Sequence, residues 1–187
     1  MLVVGVIAAG CARLGIQPEP DPSQVVTLPD SMVLMPVADA RPDPYSHGEI
    51  RHYAREAAGK VLAGKGYVVV PHHVLEGVER PPLAGIGDLT GPELAALGPE
   101  DAQWLLFISV TKVSEGYDSA GEAFQIGVAG MVVNREDGSI LWRSAGTGHA
   151  SKRGGLLRLF PPTPPEYNAV QDAMKSLFAY IPEAGTS

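Results

Sequence analysis

Apolar positions follow two different rhythms along this chain. In "GEIRHYAREAAGKVLAGKG", Ile50, Tyr53, Ala54, Ala57, Val61 and Leu62 recur at three- and four-residue spacing, while Arg51, Arg55, Glu56 and Lys60 fill the other face. That period predicts an amphipathic helix, stopped by Gly64 and Gly66. The same rhythm returns in "PEYNAVQDAMKSLFAYI", where Tyr167, Val170, Ala173, Met174, Leu177, Phe178 and Ile181 form one stripe. Elsewhere the apolar residues come in short continuous runs, which predict strands covered on both faces. These runs are "SMVLMPVAD", broken by Pro36, then "YVVVPHHV", "AQWLLFISVTKV", "FQIGVAGMVVN" and "ILWRSAGTG".

The connections order these pieces. The first run, the first helix and "YVVVPHHV" are tightly joined, which predicts a right-handed crossover with two parallel strands. "ERPPLAGIGDLTGPELAALGPED" is a long connection in which Thr90 caps a short helix with Pro92 in its first turn. "AQWLLFISVTKV" is the longest run and predicts a central strand. "SEGYDSAGEA" reads as the link to the next strand, where Gly127 and Gly130 leave room for close packing or a bulge. "REDGS" carries an Asp-Gly turn into the last strand, so the final three strands predict an antiparallel meander. The expected order is β-α-β-(α)-β-β-β-α: a single mixed sheet of about five strands with helices packed on it, α/β in class on the border of α+β. This domain spans residues 31–182.

The amino-terminal residues break both rhythms. Leu2 to Ala9 are small and apolar, Gln17 to Ser23 are polar and rich in proline, and residues 12–30 together read as a Pro-rich tether. A short apolar segment ending in small residues marks export and cleavage, and a Pro-rich stretch marks an extended tether. About ten apolar residues fall short of the roughly 20 that a membrane-spanning helix needs. Ala8-Ala9-Gly10-Cys11 resembles the bacterial lipobox, whose cysteine is acylated and becomes the new amino terminus. Residues 1–11 are therefore expected to be a signal peptide remnant with Cys11 as the lipidation site. A leucine is usual where Ala8 stands, and no Lys or Arg precedes the apolar run, so a start upstream of Met1 or a trimmed chain is expected.

Composition narrows the possibilities. Of 187 residues, 45% are hydrophobic and 19% charged, as in a soluble globular domain. A net charge of -7 opposes a nucleic-acid partner, since phosphate contacts need a concentrated basic surface. With a single cysteine the chain forms no internal disulfide and relies on its core.

Candidate chemistry is sparse. His72 and His73, with Glu76 nearby, suggest a metal, but neighbouring strand side chains point to opposite faces. His47 and His52 lack the spacing that aligns two ligands on a helix, and His149 stands alone in a glycine-rich segment read as a loop. Ser109 lies inside the central strand, and no glycine-x-serine-x-glycine elbow occurs. Glu115, Tyr117, Asp118 and Glu122 read as a solvated acidic loop. The sequence predicts no catalytic residue, no metal and no cofactor. Tyr67 and Trp142 are candidate anchors for a protein partner if exposed, and core residues otherwise. Lys152 and Arg153 in "SKRGG" are the basic candidates for such an interface.

Taken in order, "MVLMPVAD", "GKGYVVVPHHVL", "DAQWLLFISVTKV" and "GMVVNREDGSILWRSAG" resemble a family of short bacterial lipoproteins of unknown function, encoded beside a curli-secretion-type pore lipoprotein. The matching positions are Met35-Pro36, Gly66-Tyr67 with Pro71, Asp101-Ala102 with Thr111, Gly138 with Leu141-Trp142, and Gly154-Gly155-Leu156-Leu157. "LFPPTPPEY" departs from the pattern. The resemblance implies a fold like the amino-terminal domain of the periplasmic Tol translocation protein and of lipoproteins that activate peptidoglycan synthases. It supplies no catalytic residues.

The expected function is an envelope lipoprotein anchored to the outer membrane through Cys11 and facing the periplasm. It would act as a non-catalytic binding or scaffolding domain with envelope proteins as partners, accessory to a secretion or envelope-assembly complex. Ala12 is not the aspartate that retains such proteins in the inner membrane. The alternative is a soluble exported domain that binds a small ligand or metal through His72, His73 and the "SKRGG" loop.

Overall fold

The computed structural model describes residues 28–42, 47–72, 87, 89–118, 121–151 and 164–185. Six strands and three helices follow in the order β1 (Ser31–Leu34), β2 (Ala38–Asp39), α1 (Ile50–Gly64), β3 (Val68–Pro71), α2 (Gly91–Ala96), β4 (Trp104–Asp118), β5 (Gly121–Asn134), β6 (Ile140–Ser151) and α3 (Pro165–Leu177). They build one mixed sheet in the order β3-β1-β4-β5-β6, with β2 also paired to β4. The expected mixed α/β architecture is the one observed. The sixth strand arises because Pro36 divides the first apolar run, leaving two short strands that both lie parallel to β4.

Alternation along β4 sorts the core into two layers. Leu106, Ile108 and Val110 face the larger one, with Ile50, Ala54 and Leu62 of α1 and Val170, Met174 and Leu177 of α3. Leu105 and Phe107 face the smaller one, with Met35, Met131, Val133 and Leu94 of α2. Among the described residues, Leu28, inside the stretch expected to be tether, already packs, since its side chain joins the larger layer. At the other end Ala184 donates its backbone N–H to the Lys65 carbonyl at 2.8 Å, just past the expected boundary at 182.

Several local expectations hold. β4 is central, and Gly66 closes α1 with φ of +88°. Thr90 opens α2, donating its backbone N–H and its hydroxyl to Glu93 Oε2 at 2.8 and 2.7 Å. Gly138 takes φ of +71° in the Asp-Gly turn.

Others need correction. "SEGYDSAGEA" is no link, because β4 and β5 stay in register out to the Asp118–Gly121 pair; polar strands still pair through their backbones. The extra residue on β4 lies opposite Gly127, between Val110 and Lys112. "GTGHA" is not a loop either but the inner part of β6, where Ser144, Gly146 and Gly148 face α3 and Arg143, Ala145, Thr147 and His149 face out. Finally, β3 is not a covered strand. Among the described residues it is an edge strand, with Val68 58% and Val70 50% exposed.

Candidate docking cleft

α1 lies on the sheet through small residues: Ala54, Ala57 and Ala58 are buried beside Ile50 and Leu62. Its fifteen residues make it much longer than the four-residue β3 below its margin. The difference leaves a cleft of about 430 Å³ between α1 and strands β1 and β3. Leu34, Val69 and Pro71 supply an apolar floor, and Gly59 keeps the helix side open by having no side chain. His52, Arg55, Glu56 and Lys60 stand along the α1 wall.

The charges on this wall are unequally matched. Lys60 Nζ donates to Glu56 Oε1 at 2.5 Å and to the Tyr167 hydroxyl at 3.0 Å, and lies 5.7 Å from the centroid of the Tyr167 ring. Hydrogen bonding to Glu56, then to Tyr167, raises the Lys60 pKa, and the same bond from Lys60 lowers that of Glu56. Tyr167 is itself fixed by Gln171 Nε2, which donates to its hydroxyl at 2.9 Å, and by edge-on contact with Tyr53 at 5.3 Å. Arg55 differs. Half-buried, it donates through Nη2 to the His72 carbonyl at 3.2 Å, and among the described residues no carboxylate pairs with it. Among the described residues, the cleft therefore holds a guanidinium without a carboxylate partner above an apolar floor.

A second polar locus sits where β2 leads toward α1. Arg41 donates to Asp39 through Nε at 2.7 Å, Nη2 at 2.6 Å and its backbone N–H at 3.2 Å, and both side chains are buried. Burial pushes the Asp39 pKa up, but the hydrogen bonds and charge of Arg41 outweigh it and hold the carboxyl below its ordinary value, with help from Arg51. His47, at φ of +57°, pairs with Glu115 and meets the Phe124 ring edge-on at 6.0 Å. These contacts tie the start of α1 to the β4–β5 hairpin. Among the described residues no three His, Cys, Asp or Glu side chains converge to hold a metal. Nor, among them, is any helix long and apolar enough to cross a membrane.

Two sequence candidates for a partner interface are corrected by their positions. Tyr67 is 3% exposed, and its hydroxyl donates to the Pro182 carbonyl at 3.1 Å. Trp142 is 8% exposed and stacked on Phe178 at 5.6 Å. Both aromatics serve the core, because their side chains fall on the helix-covered side of the molecule. His72 enters the cleft region only through its carbonyl. His149 lies on the outer face of β6, where its N–H donates to Asp172 Oδ2 at 3.2 Å. Cys11, His73, Glu76, Lys152 and Arg153 lie outside the described residues.

The sequence reading passed over Arg55 as one charge on a solvated helix face. The available signal was Pro71. A proline near the end of a strand marks an edge, and α1, the helix that leads into this edge, overhangs it.

No family model matches this chain, and no curated protein matches it. Solved structures do. The PelC dodecamer from Paraburkholderia phytofirmans aligns with a TM-score of 0.53 and 15% identity, over 85% of this chain and 95% of that one. Lipoprotein GNA1162 from Neisseria meningitidis aligns with a TM-score of 0.49 and 20% identity, over 69% of this chain and 90% of that one. At 15% identity the likeness to PelC is one of fold.

Proposed function

We propose that this chain is a bacterial envelope lipoprotein, acylated at Cys11, whose α/β domain is a non-catalytic docking module facing the periplasm from the outer membrane. The observation that carries the reading is the sole cysteine of the chain, set directly after Ala8-Ala9-Gly10 and separated by sixteen residues from Leu28, the first core residue described. Sixteen residues reach roughly 50 Å when extended, enough to hold the domain clear of a bilayer surface. Three acyl chains, as this modification supplies, anchor stably where one alone would not. The resemblance to lipoproteins encoded beside a secretion pore adds the role: accessory to an outer-membrane secretion or envelope-assembly complex. The α1–β3 cleft is the docking site, and Lys152 and Arg153 are offered as further contacts.

Intact mass of the chain recovered from membranes of a bacterial host tests the anchor. The expected species begins at Cys11 and carries added acyl mass, and Cys11→Ser moves the protein to the soluble fraction. An unacylated chain, or a Cys11→Ser variant that stays with membranes, refutes the reading.

A further inference from the structure

The hydrogen-bond register of β3 gives its outer edge a specific character. Val68 donates its N–H to the Asp30 carbonyl at 2.8 Å and His72 donates to the Leu34 carbonyl at 2.9 Å, so these alternate positions turn toward β1. Val69 and Pro71, in between, turn their backbone groups outward. Pro71 has no N–H to leave unpaired, which is why it is tolerated there. The edge thus offers one donor, from Val69, and two carbonyl acceptors. That is enough to hold two or three residues of an incoming strand and too little to template a long sheet.

Beside this edge lies the cleft, whose volume of about 430 Å³ is within the usual range of binding sites. Its floor is apolar, and its wall carries Arg55, held by the His72 carbonyl and without a carboxylate partner among the described residues. A chain of net charge -7 has turned a cationic, half-desolvated group toward an open strand edge. The group that complements all three features carries a backbone, an anion and a small apolar side chain.

We infer that the cleft receives an extended peptide segment of a partner protein, which pairs its main chain with Val69, sets an Asp or Glu carboxylate on Arg55 and lays an apolar side chain on Leu34, Val69 and Pro71. The inference rests on the docking reading above and names the chemistry of its partner. Arg55 supplies charge-assisted hydrogen bonds in a planar fork that suits a carboxylate, while the edge strand fixes the direction of the segment.

Panning random dodecapeptides displayed on phage against the full chain tests it. Enriched peptides are expected to carry Asp or Glu within two residues of Val, Ile or Leu. A synthetic copy of the strongest should perturb the backbone amide resonance of Val69, and Arg55→Glu should weaken its binding by about tenfold or more. Arg55→Lys should keep part of the affinity, and Arg55→Gln replaces the glutamate variant if that chain fails to fold. The inference is overturned if no peptide is enriched, if the enriched peptides lack an acid, or if their binding ignores Arg55. It is overturned too if sodium octanoate alone binds with the same dependence on Arg55, for the cleft would then be a site for small amphiphiles. Acylation of Cys11, read by mass, is untouched by any of these results, so the anchor and the peptide site stand or fall separately.

Discussion

The two halves of the sheet are covered by helices in opposite ways. On the antiparallel half, α3 lies directly against the backbone of β6. A Cβ at Gly146 would come within 2.5 Å of the Ala173 carbonyl oxygen and the Leu177 nitrogen, and one at Gly148 would overlap the Ala169 carbonyl. The Trp142–Phe178 stack fills the remaining space. On the parallel half α1 approaches through alanines onto two strands of only four residues each, and its polar margin overhangs a cleft. Glycine beneath a helix seals a layer, and a short edge strand beneath a helix opens one. Structural tightness and binding capacity are thus separated across one sheet.

Removing the ring that fills the sealed half should have the largest effect. Trp142→Ala is expected to destabilise by about 3–5 kcal/mol in urea unfolding, the usual loss for a buried aromatic. A loss below about 1 kcal/mol would mean that α3 does not close over Trp142 as described.

The open half has one strong point of its own, the Asp39–Arg41 pair. Asp39→Asn should cost about 3–5 kcal/mol at neutral pH by leaving a buried guanidinium without its counter-charge. In the parent, Asp39 is more acidic in the folded state than its ordinary value of 3.8. Its contribution is therefore complete above that value and falls away as pH drops through it toward the folded pKa. Unfolding measured from pH 6 to pH 2 should show this acid-linked loss in the parent and a shallower one in Asp39→Asn.

Gly148→Ala probes the sealed contact with a single methyl group. The atoms it meets are helix backbone, which does not swing aside, so about 1–3 kcal/mol of destabilisation is expected. The smallest effect belongs to the cleft: Arg55→Gln should change stability by less than about 0.5 kcal/mol, because its one hydrogen bond goes to a strand-end carbonyl. A larger loss would make Arg55 a structural clamp and erase the contrast between the halves.

Much of this was legible beforehand, and the reason is range. The stripes of α1 and α3, the Thr90 cap and the Asp-Gly turn depend on residues a few positions apart, which periodicity and turn chemistry report directly. The cleft was not legible from charges, since Arg55 differs from Arg51 or Lys60 only in what lies across from it. Tyr67 and Trp142 were ambiguous for a similar reason: an aromatic in a strand is anchor or core according to which face is covered.

By itself the sequence determined most of the elements, their order and the mixed sheet. Tertiary structure decided which apolar run became the exposed edge, which glycines lay under a helix instead of in a loop, and which arginine has no carboxylate beside it among the described residues. Those outcomes depend on pairing and coverage between residues far apart in the chain, at which a local pattern gives only a hint, as Pro71 does for the edge strand.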